Sequence, residues 1–323
     1  MTRSDDTRAP RALITGVGGF TGRYMAARLA SSGYRVWGTV RPGETLADTQ
    51  LADTQLADIV TPLAADLLDR GALAHAVETV QPDVVVHLAA VAHVADSDVA
   101  RTYVVNVVGT RNLLDALAHQ RHVPRAVLLA SSANIYGNAT NGVIDETVAP
   151  QPANDYAVSK LAMEYVAKRW DAQLPIVVAR PFNYTGVGQS ADFLIPKIVD
   201  HYARGEKTIS LGNLHVARDF SDVRDVVNAY AKLIEAAPRG ATVNVCSGTG
   251  HTLGALLDAL SRIAGYSIDV KVDPRFVRAN EVRQLIGSNA KLRGIVGDSA
   301  RKPLEDTLRW MYEEARQVCL DTR

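Results

Sequence analysis

The sequence predicts an α/β protein with a doubly wound parallel sheet, and three observations lead to this fold class. Short apolar runs of strand length alternate with helical stretches between residues 11 and 180. The runs are nearly all apolar, as in Val84–Ala89, which is typical of strands that helices cover on both faces. A glycine-rich turn joins the first run to the first helix. This order is typical of the Rossmann fold.

The individual elements follow from the apolar runs and from their stop signals. Gly33, for example, lies where the first helix needs a C-cap. We expect strands at 11–15, 34–40, 62–65, 84–89, 126–131, 175–180 and 243–245, and helices over 21–32, 67–80, 101–120, 156–170 and 193–204.

The same pattern predicts two domains. A dinucleotide-binding domain is expected over 11–180, with a flexible tail at 1–10 before it. After residue 180 the chain becomes rich in glycine and polar residues. We therefore expect a smaller, discontinuous C-terminal α/β substrate lobe over 181–323, with later segments near 219–247 rejoining the first domain.

Composition excludes several classes of function. Lys plus Arg and Asp plus Glu both number 35, so the formal net charge is zero and favours neither nucleic-acid nor membrane-surface binding. No apolar run reaches the roughly 18 residues of a membrane span. The two cysteines, Cys246 and Cys319, lie far apart and form no metal-binding motif. We expect a cytoplasmic protein with reduced thiols and no metal.

The glycine-rich turn predicts a phosphate-binding site. Gly16, Gly19 and Gly22 follow the first strand directly and open the first helix, with Phe20 and Thr21 between them. Glycines let the backbone turn tightly and approach a pyrophosphate, and the helix N-terminus supplies N–H donors. A dinucleotide cofactor is the expected ligand, the alternative being a turn without one.

The end of the second strand indicates which cofactor. Sites selective for NAD usually place an acid there for the ribose 2′-hydroxyl, whereas an arginine accommodates a 2′-phosphate. This strand ends in Arg41 and carries no acid. We therefore expect NADPH, with NADH as the alternative if Arg41 is only a solvated loop cation.

A second motif indicates catalysis. Tyr156 and Lys160 are four residues apart on a predicted helix and so share one face. A nearby cation is expected to lower the pKa of the phenol and make it a usable acid or base. Ser132 follows an apolar strand, at the edge where α/β sheets bind ligands. It could donate a hydrogen bond to a substrate carbonyl.

The glycine turn, the serine at the end of the strand and the tyrosine–lysine pair, in this order, resemble an extended short-chain dehydrogenase/reductase over residues 11–315. Within that superfamily the chain is most similar to GDP-4-keto-6-deoxy-D-mannose reductases. This resemblance is carried by the runs RPFN at 180–183, GVGQS at 186–190, RDFSDVRD at 218–225 and NVCSG at 244–248, with further matches at 212–214, 281–282 and 285–288.

The resemblance implies a role for each matching residue. Ser132, Tyr156 and Lys160 would act on the C4 carbonyl of a GDP-linked 4-keto-6-deoxy sugar, in nucleotide-sugar biosynthesis for a surface polysaccharide. Beyond the glycine turn, the implied cofactor contacts are Arg41, Asp66, Leu67, Leu88, Ala89, Ala90, Asn106, Tyr156, Lys160 and Pro181. The implied substrate contacts are His93, Asn183, Arg218, Arg278 and Glu281; Arg275 could take part of the role of Arg278, whose spacing to Glu281 departs from the family pattern.

Related reactions of this superfamily differ in the catalytic groups that each one requires. In dehydratases an acid/base pair directly follows the strand-end Ser or Thr, and here Ala133 and Asn134 stand there and cannot do that work. A double epimerisation needs a further acid and base, for which His93 is the one pocket histidine; a hydrogen-bonded loop histidine is the favoured reading. Two alternatives stay open, an NDP-sugar 4-epimerase with bound NAD and a non-catalytic NADP-binding redox sensor.

Some properties stay undecided at this point. The sequence leaves open the manno or talo configuration of the product, a hexose or a heptose, and guanine or another base. Relatives of this kind are mostly homodimers that pair helices matching 101–120 and 156–170, and we expect the same here.

Overall fold

The computed structural model of the protein describes residues 8–46, 54–92, 98–137, 142–273 and 284–321. The chain divides into two compact units. The first comprises Met1–Ser131, Val158–Val178 and Tyr230–Ala241, and the second comprises Ser132–Ala157, Ala179–Ala229 and Thr242–Arg323. Segment 132–157 falls in the second unit although it precedes the predicted boundary at residue 180.

The helices and strands alternate along most of the chain. The strands are β1 (Arg11–Thr15), β2 (Arg35–Val40), β3 (Val60–Ala64), β4 (Val84–His87), β5 (Ala126–Ala130), β6 (Gly142–Ile144), β7 (Ile176–Pro181), β8 (Asn183–Thr185), β9 (Thr208–Leu211), β10 (Ala217–Asp222), β11 (Thr242–Val245), β12 (Gly250–Thr252), β13 (Asp269–Val272) and β14 (Gln284–Gly287). The helices are α1 (Phe20–Ser31), α2 (Thr54–Ile59), α3 (Arg70–Val80), α4 (Val99–Tyr103), α5 (Thr110–Ala118), α6 (Asp155–Ala167), α7 (Leu194–Ala203), α8 (Val223–Ala236), α9 (Leu253–Ala264), α10 (Ala290–Val296) and α11 (Leu304–Asp321). None of these helices, which cover the described residues, is both long and apolar enough to cross a membrane.

The large sheet has seven strands in the order β11-β7-β5-β4-β1-β2-β3. The pairs β1–β2, β1–β4, β2–β3 and β4–β5 are all parallel. Strands β4 and β1 are fully buried, as their apolar sequences require. The chain order reverses between β1 and β4, and in such sheets ligands bind outside the carboxyl ends of the strands at this point. The predicted doubly wound parallel sheet is confirmed.

The helix predicted over 101–120 is interrupted. It consists of α4, a π-helical segment over Val104–Gly109, and α5. Within the π-helical segment Asn106 is only 1% exposed. The Thr110 hydroxyl donates a hydrogen bond to the Asn106 carbonyl at 2.7 Å. Short π-helical insertions occur frequently at functional sites, because they turn a side chain out of the regular helical register.

The second unit holds a smaller sheet with the strand order β12-β10-β14-β6. Strand β8 lies off this path and pairs with the C-terminal half of β10. Strand β10 lies in a stretch that the sequence indicates only as polar. Its Asp219 is completely buried, and its carboxylate accepts hydrogen bonds from the backbone of Ser247, Gly248 and Gly287 at 2.8, 2.8 and 3.2 Å. Because these N–H donors stabilise the buried carboxylate, β10 can lie in the interior of the second unit although it carries acidic residues.

One buried histidine lies at the carboxyl end of β4. His87 is 3% exposed, and its ring lies 2.7 Å from the Thr15 hydroxyl and 2.8 Å from the Thr110 hydroxyl. Because the Thr110 hydroxyl donates to the Asn106 carbonyl, it accepts from Nε2 of His87. The ring is neutral at neutral pH, because its pKa is strongly lowered. Burial, and then the charge of Lys160, lower the pKa of His87 to about 3.

The buried His87 predicts a loss of stability in acid. Its folded pKa lies below its ordinary value of 6.5, so the unfolded chain binds the extra proton and stability falls as the pH drops from 6.5 towards 3. His87→Gln should make the free energy of unfolding less dependent on pH, by up to about 1.4 kcal/mol per pH unit. Urea unfolding between pH 7 and pH 4.5 measures it. The exposed His119→Gln variant is the control, and an unchanged slope in His87→Gln would contradict this assignment.

Candidate active site

The glycine turn after β1 forms a cradle of backbone. Gly16 has a φ of +72°, and a Cβ there would lie 2.8 Å from the Ala89 Cα atom. A Cβ on Gly22 would lie 2.3 Å from the Gly16 carbonyl oxygen. Gly19 is the N-cap of α1, and no side chain caps that helix end. Such an end favours an anion, so these residues fit the pyrophosphate of a dinucleotide.

Phe20 and Thr21 form the first positions of α1, directly after this cradle. The Thr15 hydroxyl accepts a hydrogen bond from the backbone N–H of Ala89 at 3.3 Å, and the Leu88 N–H donates to the Thr15 carbonyl at 3.2 Å. Leu88, Ala89 and Ala90 are partly exposed at this edge. The structure therefore brings the predicted glycine turn and the end of β4 together in the first unit.

Arg41 and Asp66 follow β2 and β3 respectively, at the same edge of the sheet. Arg41 is 60% exposed and pairs with Glu44. The hydrogen bond to Glu44 raises the pKa of the guanidinium, and the charge of Asp66 adds to that effect. An exposed pair of this kind is weak. Arg41 can therefore exchange Glu44 for a phosphate at small cost.

Leu67 and Asn106 are buried residues whose hydrogen bonds hold segments near this edge of the large sheet in place. Leu67 is buried, and its carbonyl accepts a hydrogen bond from the Asn112 side chain at 3.0 Å. The Asn106 amide donates to the Val91 carbonyl at 3.1 Å and to the Ser159 hydroxyl at 3.0 Å. Its carbonyl oxygen accepts from the Val91 N–H at 2.9 Å. Asn106 thus ties the segment after β4 to α6.

Ser132, Tyr156 and Lys160 are arranged along α6 and the segment that follows β5. A hydrogen bond joins the hydroxyls of Ser132 and Tyr156. Lys160, one turn further along α6, is 6% exposed and donates from Nζ to the Ala130 carbonyl at 2.8 Å. Tyr156 and Lys160 therefore share a helix face, as the spacing predicts.

The pKa of Tyr156 is not lowered, contrary to the sequence-based expectation. Burial raises it above its ordinary value, the neighbouring Tyr184 raises it further, and the bond with Ser132 only partly opposes the rise. Burial also lowers the pKa of Lys160 to about 8, although Glu164 opposes that change. At neutral pH the tyrosine is therefore a protonated phenol, and Lys160 is mostly an ammonium ion.

The predicted substrate residues of the second unit lie on β8 and β10. The Asn183 side chain donates to the Asp219 carbonyl at 3.2 Å. Arg218 lies opposite His251 of β12 and beside Leu285 of β14, so these side chains share one face of the sheet. Pro181 ends β7 and is buried.

Other predicted residues cannot be placed. His93, Arg275, Arg278 and Glu281 lie outside the described residues. In contrast, sequence reasoning missed Asp219, which holds the strand that carries Arg218. Only its place inside the RDFSD run could have drawn attention to it, since its partners are 28 to 68 residues away.

Comparison with known proteins identifies the family. Residues 13–311 match the family model described as GDP-mannose 4,6 dehydratase. The chain belongs to this family. It is 34% identical over 310 residues to GDP-6-deoxy-D-mannose reductase of Pseudomonas aeruginosa, covering 93% of this chain and 95% of that one. It is also 34% identical over 236 residues to GDP-6-deoxy-D-talose 4-dehydrogenase of Aggregatibacter actinomycetemcomitans, covering 73% and 80%.

Two solved structures are similar over almost the whole chain. A protein of Burkholderia cenocepacia J2315, described as a candidate epimerase, is 60% identical with a TM-score of 0.90 and covers 95% of this chain and 98% of its own. The structure titled RMD from Pseudomonas aeruginosa complexed with NADPH is 30% identical with a TM-score of 0.80, covering 96% and 98%. The predicted membership of the extended reductase superfamily is confirmed.

The glycine cradle yields a prediction about cofactor affinity. Gly22→Ala should raise the dissociation constant for NADPH at least about tenfold, or about 1.4 kcal/mol, because the new Cβ pushes the Gly16 carbonyl out of the turn. Fluorescence titration with NADPH measures the constant. Gly71→Ala in α3 is the matched control, since the nearest atom that its Cβ would meet is an Asp69 carboxylate oxygen at 3.4 Å, an ordinary van der Waals distance. Wild-type affinity in a folded Gly22→Ala protein would contradict the assignment of this turn as the binding site of the cofactor pyrophosphate.

Proposed function

We propose that this protein reduces the C4 ketone of a GDP-linked 4-keto-6-deoxy sugar with NADPH, in nucleotide-sugar biosynthesis for a surface polysaccharide. The proposal is carried by the arrangement of the site: the buried Lys160 follows Tyr156 by one turn of α6, the Tyr156 phenol is hydrogen-bonded to Ser132, and Ala133, which cannot transfer a proton, directly follows Ser132. A reductase needs a proton donor at the carbonyl oxygen, and this phenol is in the donating form. The relatives named as a GDP-6-deoxy-D-mannose reductase and a GDP-6-deoxy-D-talose 4-dehydrogenase support the sugar class.

The residues divide the chemistry between them. The nicotinamide cofactor, when bound, supplies the hydride that reaches C4. Ser132 and Tyr156 donate hydrogen bonds to the ketone oxygen, and Tyr156 gives up its proton as negative charge develops there. The Lys160 ammonium stabilises the phenolate that remains. Asn183 and Arg218, with Arg278 and Glu281, would hold the GDP moiety, and His93 would shape the sugar pocket.

Family membership by itself would suggest a dehydratase, but the residues after Ser132 argue against one. Loss of water from C5 and C6 needs a proton acceptor and a proton donor at the sugar. Ala133 is 3% exposed and carries no such group, and the amide of Asn134 does not titrate. The proposal therefore keeps the reductase and not the dehydratase.

A second candidate function is a 4-epimerase. It is favoured by the 60% identical protein of Burkholderia cenocepacia, which is described as a candidate epimerase. Such an enzyme holds NAD through the whole cycle, whereas a reductase must exchange its cofactor at every turnover. The cofactor content of the purified protein therefore separates the two functions.

The test is an assay of NADPH oxidation at 340 nm with freshly made GDP-4-keto-6-deoxy-mannose, and with GDP-mannose as the control. Oxidation only with the keto sugar supports the proposal, and NMR of the product then gives the manno or talo configuration. No oxidation with NADPH or NADH contradicts it. Retained NAD with C4 interconversion of an NDP-sugar indicates an epimerase, and cofactor binding without any turnover indicates a redox sensor.

Tyr156→Phe should lower kcat on the order of 10²–10⁴-fold, because it removes the proton donor and leaves the ring in place. Steady-state kinetics with the keto sugar measure the loss. Tyr165→Phe removes a hydroxyl from the same helix at a site 61% exposed and should keep wild-type kcat. A Tyr156→Phe enzyme within a few-fold of wild type would refute the assigned role.

Arg41 should decide the choice of cofactor. Arg41→Ala should raise the KM for NADPH about tenfold or more and leave the KM for NADH nearly unchanged, because only NADPH carries the 2′-phosphate. Arg35→Ala, at the opposite end of β2, is the control. Equal effects on both cofactors would show that Arg41 does not contact the phosphate.

The proposal also includes a homodimer in the cytoplasm. The first unit exposes Val99, Val104 and Val108 along α4 and the π-helical segment, and Val158 and Tyr165 along α6. Apolar side chains grouped in this way are typical of a surface that another chain covers. Light scattering of the purified protein measures the mass, and a monomer at micromolar concentration would rule the dimer out.

A further inference from the structure

A buried carboxylate lies next to the predicted catalytic lysine. Glu164 is 5% exposed and stands on α6 one turn after Lys160, which is itself 6% exposed. Its Oε1 accepts a hydrogen bond from the Ser131 hydroxyl at 2.5 Å, and Ser131 is 2% exposed. A carboxylate removed from water is costly unless it is paired. Its placement beside a buried cation therefore calls for an explanation.

The contacts of α6 with the end of β5 show what Glu164 does. Lys160 donates to the Ala130 carbonyl at 2.8 Å, and Ser131, the next residue of that segment, donates to Glu164. The Ala130 carbonyl holds the lysine in place but carries no net charge. Glu164 is thus the group that brings a negative charge to this buried ammonium.

Two other titratable groups near Lys160 in the described part of the chain carry no negative charge at neutral pH. His87, at the end of β4, is neutral, and Tyr156 on α6 is a protonated phenol. Burial lowers the pKa of Lys160, and among the described residues Glu164 is the group that raises it. Without this carboxylate the pKa of the amine would fall further, and a neutral amine cannot stabilise a phenolate.

We propose that Glu164 is a positioning residue that, through its charge and its bond to Ser131, keeps Lys160 an ammonium ion aligned with Tyr156. The proposal rests on the proposed function for its catalytic consequence, but its physical content concerns Lys160 alone. It can therefore be tested without a substrate.

The experiment is an NMR titration of the full-length protein with lysines labelled with ¹³C at Cε, in which Lys160→Arg identifies the Lys160 signal. In the wild-type protein the midpoint should lie at about pH 8. In Glu164→Gln it should fall by about one to three pH units. Asp155→Asn removes an exposed carboxylate from the same helix and should leave the midpoint nearly unchanged.

Glu164→Asp is the second variant, for the case that Glu164→Gln does not fold. Aspartate keeps the charge but moves it away, so the midpoint should fall by a smaller amount. A folded variant with an unchanged Lys160 midpoint and only a lower melting temperature would overturn the proposal, because a structural role alone predicts that result.

A kinetic readout then separates this proposal from the proposed function. If the protein is a ketoreductase, kcat/KM should fall above about pH 8 in the wild type, because the free enzyme loses the Lys160 proton. In Glu164→Gln this limb should move to lower pH by the shift that NMR measures. If no substrate is turned over, the proposed function fails while the NMR result still decides the role of Glu164.

Discussion

The packing of α6 against the end of β5 is the constraint on which the candidate site depends. Tyr156, Lys160 and Glu164 recur every four residues and so form one stripe of the helix. Lys160 and Glu164 are tied to Ala130 and Ser131 inside the first unit. Tyr156 lies one turn before Lys160 on this helix. A proton donor acts efficiently only when it is held in a productive position.

The desolvation of these side chains also shifts the pKa values of Tyr156 and Lys160. Removing a group from water disfavours its charged form, so it raises the pKa of Tyr156 and lowers the pKa of Lys160. The two shifts act together, because they leave an uncharged proton donor beside a cation that is close to losing its charge. In the proposed reduction the phenol gives up its proton as negative charge develops on the ketone oxygen, and Lys160 must then be charged to stabilise the phenolate.

The N-terminal half of the fold could be predicted from the sequence, because its signals are local. The apolar runs, the glycine turn and the motif of Tyr156 and Lys160 each lie within a few residues. The second unit could not be predicted in the same way. Strand β10 is polar in sequence, and Asp219 is acceptable inside it only because distant N–H groups, including that of Gly287, reach its carboxylate.

The candidate site shows the same division between local and distant information. Spacing alone predicted that Tyr156 and Lys160 share a helix face. It could not predict that the pKa of the phenol would be raised and not lowered, since that depends on the desolvation of the hydroxyl in the folded chain and on its neighbour Tyr184. In the same way, nothing near Glu164 in the sequence indicates a buried carboxylate. Its partner Ser131 is 33 residues away and becomes a neighbour only when α6 packs on β5.

Family membership fixes the fold and the cofactor chemistry more firmly than it fixes the reaction. The residues that handle the ketone, Ser132 and Tyr156, would serve a reductase, an epimerase and a dehydratase equally well. A dehydratase also needs a proton donor and a proton acceptor aimed at C5 and C6, directly after the strand-end residue, whereas an epimerase differs from a reductase in retaining its cofactor. The methyl group of Ala133 occupies that place in a buried turn. A side chain that cannot transfer a proton does not support dehydration at C5 and C6, so this position argues against a dehydratase.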